Sequence, residues 1–335
     1  MKTYLVTPFI LLLSMTCASC QDKSQLQITL AVTDDESVPL EGASVTTHVL
    51  DTWKPSSSGG FGQEIYERPV VVTDKEGKAV LKASTSRANL VLTGSKPGYY
   101  DGSAGYKSAT TLGDRWQPWN PTIPVILKRV RNPISLIAKK VSPDYGQYTP
   151  LPADKAAYDL ELGDWTVPYG IGRTADLVFE IRGKTDRPGQ NYDTTLTLSF
   201  SHPQDGLVYV ERPKDRGSMM VMPYLAPDNG YQSQKSWRKL RINTEVIKGG
   251  YKEGKLLDET KPDEDYFLRL RTKLNEKGEI VSAHYAKVQG SFLWGMEGYI
   301  KFQYHFNPTP NDRNLEFDPK RNLLKVEKWQ QVTDP

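Results

Sequence analysis

Hydrophobic and polar positions alternate with a period of two along most of this chain. Leu26, Ile28, Leu30 and Val32 are interleaved with Gln27, Thr29 and Ala31, the signature of a half-buried β-strand. A polar turn, Asp34-Asp35-Glu36-Ser37, leads through Pro39-Leu40-Glu41-Gly42-Ala43 into a second strand at residues 44–49. Residues 70–73 and 79–81 flank Asp74-Lys75-Glu76-Gly77, which predicts a hairpin: Gly77 supplies positive φ and Asp74 bonds its own turn amides. Further strands are predicted at residues 90–92 and 123–127, and Pro124 argues for an edge or a bulge in the latter. After Asn132-Pro133 the alternation resumes at residues 176–181, 194–200, 206–210, 268–271, 280–288 and 299–306. In the last of these, Ile300, Phe302, Tyr304 and Phe306 are predicted to be buried, and Lys301, Gln303 and His305 to face water. No segment sustains a 3.6-residue period, and Pro and Gly recur at turn spacing. The expected fold is all-β, with two β-sandwich domains at residues 25–130 and 131–335, the second a larger sandwich or jelly roll.

The first residues follow a different pattern. Lys2 is followed by nine largely apolar residues at 5–13, then by small and weakly polar ones ending in Ala18-Ser19-Cys20. Nine residues are too few to span a bilayer, and the order is that of a secretory signal peptide. Residues 1–19 are therefore expected to be removed, residues 20–24 to form a short anchor or linker, and the body to fold outside the cytoplasm. Ala18-Ser19-Cys20 also resembles the end of the bacterial lipobox, in which small residues precede a cysteine that is lipidated and becomes the mature N-terminus. The departure is Cys17, where that motif usually has Leu. The resemblance implies lipidation of Cys20 and a lipid-anchored place in the cell envelope or outer membrane; plain cleavage near Ala18 or Ser19 would instead release the protein. The chain has two cysteines, Cys17 and Cys20, so the folded body can form no disulfide and depends on core burial. An anchor of two or more acyl chains would hold it durably.

Several motifs in the first third resemble the carboxypeptidase regulatory-like domain. They are Val38-Pro39-Leu40-Glu41-Gly42-Ala43-Ser44-Val45, Thr73-Asp74-Lys75-Glu76-Gly77-Lys78-Ala79, Lys96-Pro97-Gly98-Tyr99-Tyr100 and Val125-Ile126-Leu127-Lys128. The resemblance covers residues 25–130 and implies a transthyretin-like or Ig-like sandwich used as a non-catalytic spacer or binding module. It departs from the family in two long insertions, residues 51–69 and 101–121. The second domain resembles no family.

Charge and chemistry narrow the function. Forty-three Lys and Arg against 40 Asp and Glu give a net charge of +3, too weak a field to drive nucleic-acid binding. The four histidines, His48, His202, His284 and His305, are scattered without an H-E-x-x-H pair for zinc. Ser236-Trp237-Arg238-Lys239 fits S-x-x-K without the partner motifs. Gly170-Ile171-Gly172-Arg173-Thr174-Ala175 fits a loose dinucleotide fingerprint, but a strand rather than a helix follows, so it is read as a loop. The acidic stretch Asp258-Glu259 and Asp263-Glu264-Asp265 lacks calcium-loop periodicity. No catalytic residue, metal or cofactor is predicted. The candidate ligand-binding residues are Tyr100, Tyr106, Trp116, Trp119 and Asn120, because aromatic faces beside polar groups on a loop suit glycan or protein recognition. The competing reading buries Trp116 and Trp119 at the joint between the domains. The expected function is that of an exported envelope lipoprotein acting as a non-catalytic binding or structural module for a glycan or an envelope protein. The alternative is a glycosidase-like hydrolase with loop-borne carboxylates.

Overall fold

The computed structural model describes residues 23–54, 56, 62–142, 155–187, 191–211, 217–247, 250–261, 263–295 and 299–335; the expected signal segment and Cys20 lie outside them. The described residues are strands, turns and two short 3-10 segments, with no α-helix. They fall into two compact units, residues 1–94 with 104–125 and residues 95–103 with 126–335. Residues 95–103 and 126–130 thus group with the second unit.

In the first third of the chain the strands are β1 (Ser24–Asp34), β2 (Ser44–Thr47), β3 (Val49–Lys54), β4 (Gln63–Glu67), β5 (Val70–Val72), β6 (Lys78–Thr85), β7 (Asn89–Ser95), β8 (Tyr99–Tyr100), β9 (Gly102–Lys107), β10 (Thr110–Leu112), β11 (Arg115–Gln117) and β12 (Thr122–Arg129). β1 is the organising strand of the first unit. It pairs with β6 from Ser24↔Thr85 to Ala31↔Lys78 and with β11 in parallel at Gln25↔Arg115, and β12 lies beside it. A second sheet runs β5-β2-β7-β9. Leu26, Ile28, Leu30 and Val32 are buried, as alternation predicts, together with Val45, Leu81, Leu90, Leu92 and Val125. Each such side chain contributes about 1.5–3 kcal/mol by leaving water.

The turn at residues 74–77 has the expected chemistry. Gly77 has φ 69°, and Asp74 Oδ1 accepts from the amides of Glu76 at 3.0 Å and Lys78 at 2.8 Å. The expected hairpin is nonetheless an arch: β5 pairs with β2 while β6 pairs with β1, so the chain changes sheets there. β3 and β4, from the first insertion, form a separate two-stranded ribbon.

The second unit contains β13 (Ile137–Val141), β14 (Ala156–Asp159), β15 (Asp164–Trp165), β16 (Leu177–Arg187), β17 (Asn191–Ser199), β18 (Gly206–Glu211), β19 (Gln234–Ile247), β20 (Gly250–Asp258), β21 (Glu264–Leu274), β22 (Ile280–Val288), β23 (Leu293–Trp294) and β24 (Ile300–Asn307). One sheet runs β13-β24-β22-β21-β18, the other β15-β14-β16-β17-β19-β20. Their shared core holds Phe179, Leu196, Leu198, Trp237, Tyr266, Leu268, Phe302 and Tyr304.

A second core lies around Leu136, Ala138, Phe267, Ala283 and Tyr285, joined by Met222, Ala226, Leu315, Phe317 and Val332. Side chains of alternate parity from one strand, such as Phe267 and Leu268, thereby go into different cores. That corrects the expectation for His305, which was to face water. Its ring lies 5.0 Å from that of Phe317 in edge contact, its Nε2 is 3.1 Å from the Asp334 carbonyl, and it is fully buried. Alternation identified its side of the strand but not the C-terminal segment that covers it.

Candidate functional site

The five candidate residues do not converge on one platform. Trp116, on the short strand β11, points inward and is 3% exposed; its ring lies 5.9 Å from that of half-buried Tyr106. Burial pushes the Tyr106 phenol up. Trp119 is 37% exposed, with the Arg115 guanidinium 5.1 Å from its ring centre. Asn120 takes φ 54°, and its Oδ1 accepts from Thr29 Oγ1 at 2.9 Å. Tyr100, in the second unit, donates its hydroxyl to Glu316 Oε1 at 2.9 Å. Burial and then the Glu316 carboxylate raise its phenol far above the ordinary range. Tyr106 and Trp116 are brought together as packing, while Tyr100 and Asn120 are each engaged in a hydrogen bond of their own.

The more exposed aromatic surface is the β3–β4 ribbon, in the insertion that carried no candidate residue. Trp53 is 51% exposed and stands opposite Glu64, while Leu50 stands opposite Tyr66, with a register shift between the two pairs. The indole lies against Gly62: a Cβ built there would collide with Trp53 Cζ2 and Cε2. Only a residue without a side chain lets the ring take this position. Tyr66 is fixed from two sides. Its hydroxyl donates to Glu64 Oε2 at 2.5 Å, and the Arg87 guanidinium sits 5.6 Å from its ring centre while Nη2 reaches Glu64 Oε1 at 2.5 Å. The hydrogen bond from Tyr66, then that from Arg87, holds the Glu64 carboxyl below its usual range, and the Glu64 bond raises the Tyr66 phenol. The ring of His48 lies 6.3 Å from Tyr66. The sequence signal was a Trp and a Tyr on either side of a Gly- and Ser-rich run.

The carboxylates of the second unit are engaged in structure. Arg271 Nε donates to Asp176 Oδ1 at 2.8 Å and Nη2 to Asp159 Oδ1 at 3.1 Å, and Nη1 pairs with Glu161. Asp159 also accepts from the amides of Arg173 and Thr174, both at 2.9 Å. Burial pushes its carboxyl up, but those amides and Arg271 outweigh burial and hold it low. At Asp176 burial prevails and the carboxyl is raised. The glycine-rich loop at residues 170–175 thus turns its amides on the protein's own carboxylates, Arg173 and Thr174 on Asp159 and Ile171 on Asp164. In the acidic stretch, Glu264 takes the Tyr266 hydroxyl and Asp265 the Gly290 amide. Among the described residues, no group of three or more His, Cys, Asp or Glu is placed to hold a metal ion.

Two further features lie in the second unit. Lys287 is fully buried, with Nζ donating to the Pro335 carbonyl at 2.9 Å. Burial, then the nearby Lys128 cation, brings its ammonium down to about 7. Burial and then Lys287 drive His305 well below the ordinary imidazole range. A shallow groove of about 330 Å³ is lined by Leu207, Val208, Tyr209, Gly230, Gln232, Lys235 and Tyr266.

No family model matches the chain. No curated protein matches it either. Among solved structures it is similar to a DUF3823 family protein from Parabacteroides merdae, with 9% identity, TM-score 0.19, and 84% of this chain and 96% of that one covered. It is also similar to a protein of unknown function from Bacteroides fragilis, provisionally named membrane-associated, with 10% identity, TM-score 0.18, and 86% and 99% covered. At these TM-scores neither likeness carries an argument about this chain.

Proposed function

We propose that the chain is an exported cell-envelope lipoprotein, anchored through Cys20, whose body is a non-catalytic module contacting another envelope component. The observation that carries this reading is the β3–β4 ribbon. Trp53 and Tyr66 are presented to solvent and held in fixed positions by Gly62, Glu64 and Arg87. Rigid exposed aromatics are the usual anchors of recognition surfaces. The carboxylate beside them, Glu64, is committed to Tyr66 and Arg87 and is not poised against a second acid. The engaged state of Asp159, Asp176 and Glu264 supports the non-catalytic reading over a glycosidase pair.

The test is binding of the purified protein to isolated envelope fractions, glycans and phospholipid, with the Trp53→Ala, Tyr66→Ala variant as control. Binding lost in the variant at unchanged melting temperature is the expected result. Turnover of a glycan by the wild-type protein would overturn the reading, as would envelope binding indifferent to both substitutions.

A further inference from the structure

We infer that the end of the first unit from which β1 departs is a phospholipid-contact surface, with Trp53 and Leu112 as its inserting side chains. The inference rests on the lipoprotein reading above and names the envelope component that this surface meets.

Two projections flank the start of β1. On one side Lys23 Nζ bonds Asp51 Oδ1 at 2.5 Å, two residues before Trp53 on the same strand of the ribbon. On the other side the Gln25 amide donates to the Asp114 carbonyl at 2.5 Å, and Gln25 Nε2 donates to Asp114 Oδ2 at 2.9 Å. Asp114 belongs to the two-residue turn between β10 and β11, with Gly113 at φ 60°, and Leu112, the last residue of β10 before that turn, is 73% exposed. β6 ends at this same place, since Ser24 registers with Thr85, and the turn after it supplies Arg87 to Tyr66 and Glu64. A large aliphatic side chain and an indole are therefore displayed at the end where the chain enters the unit.

The surrounding charges suit a headgroup layer. Lys23 is paired with Asp51 and Arg87 with Glu64. The exposed rings are a Trp and a Tyr, the residues that settle at membrane–water interfaces. Tether length supplies the occupant. Cys20 lies three residues before Lys23, and three extended residues span at most about 11 Å. An acyl anchor at Cys20 therefore keeps this end of the unit beside the headgroups. A glycan or protein ligand for the same face would have to fit into that gap.

The experiment uses the full chain reconstituted into vesicles of phosphatidylethanolamine and phosphatidylglycerol, with brominated phospholipid as a quencher of Trp fluorescence. Quenching is expected in the wild type, a clear loss of it in Trp53→Ala, and new quenching when Leu112→Trp is placed in the Trp53→Ala background. The unanchored Cys20→Ser protein should bind the same vesicles weakly, and Leu112→Asp should weaken that binding about tenfold, the worth of one apolar side chain. Acyl labelling at Cys20 separates the two readings. A labelled protein in which neither Trp53 nor the indole introduced at position 112 is quenched overturns the contact surface and leaves the anchor standing. An unlabelled protein overturns the anchor itself. Vesicle binding that a soluble envelope glycan abolishes would reassign the surface to sugar recognition.

Discussion

The side-chain amide of Asn322 completes the outer edge of β13 by bonding both main-chain groups of Ala138. Its Oδ1 accepts from the Ala138 N–H at 3.1 Å, and its Nδ2 donates to the Ala138 carbonyl at 2.8 Å. A side chain does here what a neighbouring strand would do, on a residue that is fully buried. Asn322→Ala should leave two buried backbone groups without partners, at about 1–3 kcal/mol for each. Asn322→Asp keeps the acceptor but sets a carboxylate oxygen against the Ala138 carbonyl where Nδ2 donated at 2.8 Å, and should also fall below the wild type. Urea unfolding followed by near-ultraviolet circular dichroism measures both, and equal midpoints for all three proteins would remove the edge-capping role.

Arg271 is the hub of the acidic knot, and two of its three partners are more buried than it is: Asp176 and Asp159 carry side chains 0% and 2% exposed, whereas Glu161 is half exposed. Arg271→Met strips the counter-charge from carboxylates that cannot reach water, a loss expected at about 3–5 kcal/mol. Arg271→Lys should recover little of it, because one ammonium cannot reproduce a planar fork. A wild-type-like urea midpoint in Arg271→Lys would show that charge alone suffices.

Lys287 makes the stability of the second unit depend on pH in a direction opposite to that of a buried group gaining a counter-ion. Its ammonium is pulled from the ordinary value of 10.5 to about 7 in the folded state, so between these values the unfolded chain binds the extra proton. The sign is fixed by that difference: the penalty from this group is absent above about pH 10.5, and stability falls as pH drops towards 7. Lys287→Met removes the group. The variant should gain on the wild type as pH is lowered from about 10 to about 7, by an amount on the order of a few kcal/mol. A gap between wild type and variant that stays constant over that range would contradict the assignment.

The two tryptophans of the second insertion should behave as different residues. Trp116→Ala empties a buried site beside Tyr106 and should cost about 3–5 kcal/mol. Trp119→Ala loses a stack with Arg115, worth about 0.5–1 kcal/mol, and packing of a ring that is partly open to solvent, so it should cost less than Trp116→Ala. Thermal melts of the two single variants check this directly, and comparable losses would mean that Trp119 is less accessible than its exposure indicates.

The legible parts of the fold were those where one face of a strand meets a core and the other meets water. β1 alternates as Leu26 to Val32 require, and the turn before Lys78 uses Asp74 and Gly77 as turn chemistry demands. Two kinds of feature were not legible. The arch after Val72 has the local chemistry of a hairpin, and only non-local pairing decides that β5 and β6 go to different sheets. His305 reads as a wet position, and nothing marks Lys287 as buried, because the residues that cover them, Phe317, Asp334 and Pro335, lie far along the chain. At the candidate surface, residue type identified aromatics near the start of β12, but the parity of a three-residue strand turned Trp116 inward. Trp53 was missed because what marks it is a close approach to Gly62, a contact that sequence spacing does not encode.

The segment of residues 314–335 gives the second unit Leu315, Phe317 and Val332, the amide of Asn322 and the carbonyls that receive Lys287 and His305. Its bonds reach back 184 residues to Asn132 and Ala138, and 216 residues to Tyr100. The second core is therefore complete only with the segment that carries Leu315, Phe317 and Val332 in place. Contacts of that separation are formed late and slowly, and a chain cut before residue 314 would lack three apolar side chains of its second core.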